Sequence, residues 1–383
     1  VKKQISILII IFILLLSGLI SYGQTDKAEV KAKVLKTNNS DMIKSGVANI
    51  GNQTLQVKIL EGKYQGKTIT AYNGLTGKLQ LDNYFQVNDK IIIAIQEQNN
   101  KLVANAIDLY RLNWELLLFG IFILLLILYA KIIGLKALFS FVVSLYVIWN
   151  FLIPELLAGQ QPLILSAETL LVLSAIIIFS VAGFNKKGLA AFLGTITGLF
   201  ATIIITVIFG EVLALQGMTA PFAEALLYSG HLNLNMKHIF YAAVVIGASG
   251  AAMDIAMDVA ASMAEIKSKK PNIEMKELIE SGFTVGQAVI GTMTTTLLLA
   301  YSGGYLTLLM LFMTKNSSLN RILNFKMVSA EILRTLTGSI GLVLVAPITA
   351  FLAGWIYCTE FSISLKINLL LEKTWGKLTG SDK

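Results

Sequence analysis

Apolar and polar positions divide this chain into three regimes. Behind Lys2 and Lys3, the run from Ile5 to Ile20 is almost wholly apolar. That is the pattern of a signal peptide or signal anchor, with Ser21 and Gly23 spaced for cleavage after Gly23. Residues 24–112 change character: Ala28–Val34, Thr54–Ile59, Lys67–Ala71 and Lys90–Ile95 alternate with a period of two. Turns are expected at Glu61-Gly62, Tyr72-Asn73-Gly74 and Val87-Asn88-Asp89. This pattern predicts a small β-barrel of about six strands, OB-like or SH3-like.

From Trp114 onward, long apolar runs recur at 114–130, 137–153, 168–184, 188–210, 239–262, 283–302 and 331–357. Each is near the roughly 20 residues that cross a bilayer as a helix. The fold class expected is therefore a mainly α-helical polytopic membrane protein. It has about seven transmembrane helices, an N-terminal signal or anchor helix, and an inserted extracytoplasmic β-barrel. The domains read as 1–23 signal segment, 24–112 barrel, 113–357 helical membrane domain and 358–383 cytoplasmic tail.

Charge sets the expected orientation. Lys131 and Lys136, then Lys186 and Lys187, then Lys267, Lys269 and Lys270 fall in alternate connections. The intervening loops, Pro154–Ala167 and Glu211–Asn235, contain acidic residues and no Lys or Arg. Lys-bearing loops stay on the cytoplasmic side, which places the barrel outside and the tail, with Lys366, Lys373 and Lys377, inside. The uncharged stretch Ser281–Thr314 is too long for one ordinary span. A break at Gly303-Gly304 is expected, leaving Tyr305–Met313 as an interfacial or re-entrant piece. The loop with Lys315, Arg321 and Lys326 would then be external, a mild exception to the charge rule.

Composition narrows the function classes. Only 14% of the 383 residues are charged and 55% are hydrophobic, against about 25% charged in soluble domains. The formal net charge of +8 comes from short Lys-bearing loops, with no basic block or aromatic platform suited to nucleic acid. Cys358 is the lone cysteine, so no intrachain disulfide or cysteine metal cluster is available.

The chemistry concentrates in Gly247-Ala-Ser-Gly-Ala-Ala-Met-Asp254-Ile-Ala-Met-Asp258. Two carboxylates four residues apart lie one turn above each other on a helix. An ionised Asp at the centre of a membrane helix costs roughly 2.5–3.5 kcal/mol, so the pair must be protonated, paired or wet. Gly247, Ala251, Asp258, Ala261 and Glu265 share a narrow stripe with Asp254, flanked by Met253 and Met257. Proton or cation coupling is one reading and a structural polar network the other. No His or Cys on a second helix completes a metal site. On the next span Thr292, Thr295 and Thr296 share a face with Gln287 near them. They could assist the carboxylates, or merely bond back to their own helix.

The last span opens with Glu331 and Arg334, which pair locally at i, i+3 or leave Arg334 as counter-ion to an aspartate. Gly194 and Gly198 form a GxxxG match that reads as helix packing, within the chain or between copies. Gly247, Gly250, Gly291, Gly338 and Gly341 are further packing candidates. Gly247-Ala-Ser249-Gly250 also matches the Gly-x-Ser-Gly of rhomboid-type intramembrane proteases. His238, the nearer of the two histidines, lies eleven residues before Ser249, about 16 Å along a helix. No base is then in reach, and the chain is read as having no catalytic site and no cofactor.

Three segments together resemble the YibE/F family of bacterial multi-pass membrane proteins: Ile246–Asp258 continuing to Glu265, Gly291–Tyr301, and Glu331–Gly341 with Pro347. Leu55–Gly66 resembles the extracytoplasmic part of the longer members. The likeness runs from about Val30 to Trp355. Many members carry Arg and Asp where this chain has Gln287 and Ala288, and Asn where it has Thr295. The resemblance implies a permease-like protein of the bacterial cell membrane and names no substrate. Members often occur as two related proteins, which implies a paralogous membrane subunit or homo-oligomer as partner. A fainter similarity is to RND-type export machinery, but seven helices after the insert, against the five of an RND half, argue against close kinship.

The leading expectation is a transporter or transport-assisting permease. In it Asp254 and Asp258 carry a proton or cation, Thr292 and Thr295 assist, and Arg334, beside Glu331, serves as counter-ion. The rival is a non-transporting scaffold or assembly factor whose Asp stripe is structural.

Overall fold

A computed structural model of the chain describes residues 29–98, 101–315 and 317–359. The expected signal segment 1–23 and the tail beyond Thr359 lie outside the described residues. The chain divides into two compact units, the first ending at Lys131 and the second beginning at Ile132.

The first unit contains six strands: β1 (Glu29–Asn38), β2 (Met42–Ser45), β3 (Ala48–Ile59), β4 (Thr68–Thr76), β5 (Lys90–Gln98) and β6 (Lys101–Leu109). They are ordered β1-β5-β6-β4-β3-β2, with β1 also pairing β3. The ring therefore closes through five strands, and β2 extends the sheet as a hairpin on β3 alone. All pairings are antiparallel except β4 with β6, where Thr70 faces Val103 and Tyr72 faces Asn105. If the hairpin is set aside, the ring connectivity is 1-2-3-5-4-1 with its third and fifth strands parallel, which is that of an OB barrel. Alternation explains the core: Leu55, Val57 and Ile59 from β3 and Ile91, Ile93 and Ile95 from β5 all point inward. Each such side chain contributes roughly 1.5–3 kcal/mol on burial.

Two details differ from the sequence expectation. Five strands close the barrel, not six, because no residue of β2 is buried. Asn73-Gly74 lies inside β4 and is not a turn. Asn73 points into the barrel, where its amide donates to Gln53 Oε1 (3.1 Å) and to the Asn83 carbonyl (2.7 Å). An Asn satisfied internally needs no solvent, so the chain continues and reverses beyond Thr76.

Among the described residues six elements are long and apolar enough to cross a membrane. The first runs from Leu112 to Leu157 as α1 (Leu112–Val147), a π-helical turn (Ile148–Leu152) and α2 (Ile153–Leu157). Its 46 residues would measure roughly 69 Å if straight, more than twice the hydrocarbon core. Lys131 breaks it with φ 49° and ψ −121°, so segments 112–130 and 132–157 are each of spanning length. The helices that follow are α3 (Pro162–Ala182), α4 (Lys186–Val212), the short α5 (Ala223–Tyr228), α6 (Met236–Lys269) and α7 (Met275–Gly304). After them come α8 (Leu306–Thr314), α9 (Leu319–Leu323) and α10 (Lys326–Cys358). The uncharged stretch is interrupted at Gly304-Tyr305, and α8 is the short apolar piece that remains.

In the helical unit large apolar side chains point outward: Phe200, Ile204 and Ile208 on α4, and Leu336, Val343 and Phe351 on α10. Small residues point inward and let backbones meet. A Cβ at Gly194 would overlap Thr349, one at Gly198 would overlap Val345, and one at Gly341 would overlap Thr202. These contacts step by four residues in opposite directions along α4 and α10, so the GxxxG match packs within the chain. Four buried threonine hydroxyls are satisfied along their own helices: Thr195, Thr202, Thr206 and Thr337 each donate to the carbonyl four residues earlier.

Candidate functional site

Helix α6 is the most buried of the long helices. It starts at Asn235, whose side chain accepts a hydrogen bond from the His238 amide (3.0 Å), an N-cap that satisfies an otherwise orphan donor. Lys267 and Lys269 lie in its last turn, where cations suit the helix dipole, and Pro271 follows. Val244, Val245, Ala252, Ile255, Ala256, Val259 and Met263 fill the bundle core.

One stripe of α6 is left uncovered by the described residues. Ala243, Gly247, Gly250, Asp254, Asp258, Ala261 and Glu265 are exposed, at intervals of three and four residues. Asp254 is near the middle of the helix. No side chain among the described residues forms a hydrogen bond or ion pair with Asp254 or Asp258. Glu265, nearer the end, pairs with Lys269 at 3.6 Å. The stripe is acceptor-only chemistry on a face of small residues.

Helix α7 lies against α6 in a readable register. A Cβ at Gly282 would meet Met263, and one at Gly286 would meet Ala346 of α10 and Val259. Both pairings are antiparallel, and continuing them by helical rise sets Gly291 level with Asp254 and Gln287 level with Asp258. Thr295 is then level with Gly250. Thr292 and Thr294 donate to the carbonyls of Val289 and Ile290. Gln287, Thr295 and Thr296 are exposed and have no hydrogen-bond partner among the described residues. Gly250 and Gly291, read from sequence as packing positions, have open space where a Cβ would stand. Gly247 is approached by the Tyr301 hydroxyl, and Gly338 by Leu297 and Ala248.

Arg334 is elsewhere. It pairs with Glu331 on its own helix at 3.1 Å, both side chains largely buried. Its guanidinium carbon sits 5.6 Å from the ring centres of Phe240 and Tyr301. Phe240 precedes Asp254 by fourteen residues, roughly 21 Å of helix rise. The structure therefore joins Arg334 to Glu331 and the aromatic pair, not to the aspartates. Beside that pair a cavity of about 320 Å³ is lined by Leu298, Tyr301, Tyr305, Glu331, Ile332 and Thr335, among others. Sequence reasoning missed the role of Tyr301 and Phe240 in covering Arg334; an aromatic on a membrane helix is too common to single out.

Ser249, the serine of the Gly-x-Ser-Gly match, donates its hydroxyl to the Ile246 carbonyl at 2.7 Å. Among the described residues no group of three or more His, Cys, Asp or Glu side chains is placed to hold a metal ion.

Long apolar helices that turn their large side chains outward and bury small ones, following a closed five-stranded barrel in the sequence, are the features of a membrane protein with an added β-domain. The family model for YibE/F-like proteins matches residues 118–359, and that for the YibE/F family N-terminal domain matches residues 21–109. The chain belongs to the YibE/F family. Neither curated proteins nor solved structures give a match.

Proposed function

We propose that this protein is a transporter or transport-assisting permease of the bacterial cell membrane that couples to a proton or cation through Asp254 and Asp258. The observation that carries the reading is the pair of unpartnered carboxylates one turn apart near the middle of α6. An ionised Asp there costs roughly 2.5–3.5 kcal/mol, and a purely structural role would be expected to come with hydrogen-bond partners, which the described residues do not supply. A carboxylate without a fixed partner is free to exchange a proton or coordinate an ion. Gln287, level with Asp258, and Thr295, one turn from the level of Asp254, supply neutral polar groups that could orient either.

In this reading the barrel is extracytoplasmic and docks a partner or gates access, and the C-terminal end of α10 is cytoplasmic. The chain does no covalent chemistry and needs no cofactor. Asp254→Asn is the direct test. Proton or cation flux in vesicles should fall to background while membrane insertion and elution of the purified protein stay unchanged. Full flux in both Asp254→Asn and Asp258→Asn would favour the scaffold reading instead.

A further inference from the structure

We propose that the carboxylate stripe of α6 is covered by α7 of a second copy of this chain, so that Gln287 of one protomer faces Asp258 of the other, and Gly291 and Thr295 face Asp254 and Gly250. The inference does not depend on whether the carboxylates move ions, since a structural pair needs the same cover.

The two faces are chemically complementary. The α6 stripe offers only acceptors among small residues. The α7 face offers donors without partners among the described residues, the Gln287 amide and the Thr295 hydroxyl, on either side of Gly291, which has open space over it. Gly250 on one side and Gly291 on the other remove the side-chain bulk that would hold two helices apart. Depth matches as well. The contacts Met263–Gly282 and Val259–Gly286 put Gln287 level with Asp258 and Gly291 level with Asp254 within one chain. A two-fold axis along the membrane normal preserves depth, so the same levels meet between copies. Such an interface is isologous, and each dimer contains the contact twice. Left uncovered, the carboxylates would lie against lipid, which is the most costly arrangement open to them.

The test uses two differently tagged full-length copies, each with Cys358→Ser, co-expressed and oxidised in native membranes. One carries Gly250→Cys and the other Thr295→Cys. Both sites are open, so neither substitution crowds a neighbour; unchanged elution of each single variant verifies this. The expected product is a disulfide-linked species bearing both tags, with mass doubled from 41.7 kDa. A control pair, Ile204→Cys with Thr295→Cys, places one cysteine on the outward face of α4 and should give no such band. No doubly tagged band above that control overturns the proposal. So does a crosslink from Gly250→Cys to a different protein only, because a related subunit would then be the occupant. Loss of flux in Asp254→Asn leaves this result unaffected, so the failure of either reading is visible separately.

Discussion

The side-chain amide of Gln53 makes both backbone hydrogen bonds of Phe85: its Nε2 donates to the Phe85 carbonyl at 2.8 Å, and its Oε1 accepts from the Phe85 amide at 3.1 Å. Both residues are almost completely buried. Gln53 Nε2 also donates to Asn39 Oδ1 (3.0 Å), and Oε1 also accepts from Asn73 (3.1 Å). A strand-like contact is thus supplied by a side chain where no strand reaches, fixing the 77–89 segment over one end of the barrel. Gln53→Leu keeps the volume and removes the partners. Each buried group left unsatisfied costs about 1–3 kcal/mol, so the unfolding midpoint of the barrel in urea should drop clearly. An unchanged midpoint would mean that water replaces the amide.

Because the barrel closes on itself and has its own core, residues 24–112 should fold without the helices. Expressed alone, the segment is expected to be soluble and strand-dominated by far-UV circular dichroism. A helical or unstructured spectrum would refute its independence.

Acid should weaken this barrel through Asp82. Partial desolvation pushes its carboxyl up, but hydrogen bonds from the Thr76 hydroxyl (2.9 Å) and the Gly77 amide (2.6 Å) outweigh that and hold it below the usual carboxylate value. A depressed folded value stabilises above the unfolded pKa, near 3.9, and that stability is lost as pH falls through the folded value. Stability of the isolated barrel should therefore decline as pH falls below about 4. Asp82→Asn should flatten that decline, measured as denaturation midpoint against pH. Equal slopes for the two proteins would exclude Asp82 as the cause.

Glycines in the helical unit should divide into two groups. Gly198→Ala drives a methyl into Val345, and overpacking of this kind costs about 1–3 kcal/mol. Gly291→Ala meets open space within the chain and gains helix propensity of up to about 1 kcal/mol. The thermal inactivation temperature of the detergent-solubilised monomer should fall for the first and hold or rise for the second.

Orientation can be read at one residue. The Lys186 ammonium donates to the Thr359 carbonyl at 2.8 Å, so the start of α4 and the end of α10 share one end of the bundle. Tyr357, near the end of α10, donates to the Ala260 carbonyl of α6 at 2.8 Å, so the end of α6 with Ser268 lies there too. In a Cys358→Ser background, Ser268→Cys should escape an impermeant thiol reagent in intact cells and react after permeabilisation. Reaction in intact cells would invert the expected topology.

Which segments form strands or membrane helices was legible in the sequence, because both depend on local periodicity and length. Period-two alternation marked β1, β3, β4 and β5, and apolar runs of bilayer length marked the long helices. The Asp254–Asp258 stripe was legible for the same reason, since i, i+4 spacing alone puts two side chains on one helix face. What the sequence left open is what lies opposite each face. Arg334 could have served an aspartate or Glu331; tertiary packing decided for Glu331 by stacking Phe240 and Tyr301 on the guanidinium. GxxxG could have joined two copies or two helices of one chain; the fit of Thr349 and Val345 into Gly194 and Gly198 decided for the latter. Asn73-Gly74 was a turn by local preference and became strand because Gln53, twenty residues away, satisfies the Asn73 amide. Local pattern dictates which groups share a face. Only the folded chain brings distant groups within hydrogen-bonding or van der Waals reach, and those contacts choose among the partners that local pattern allows.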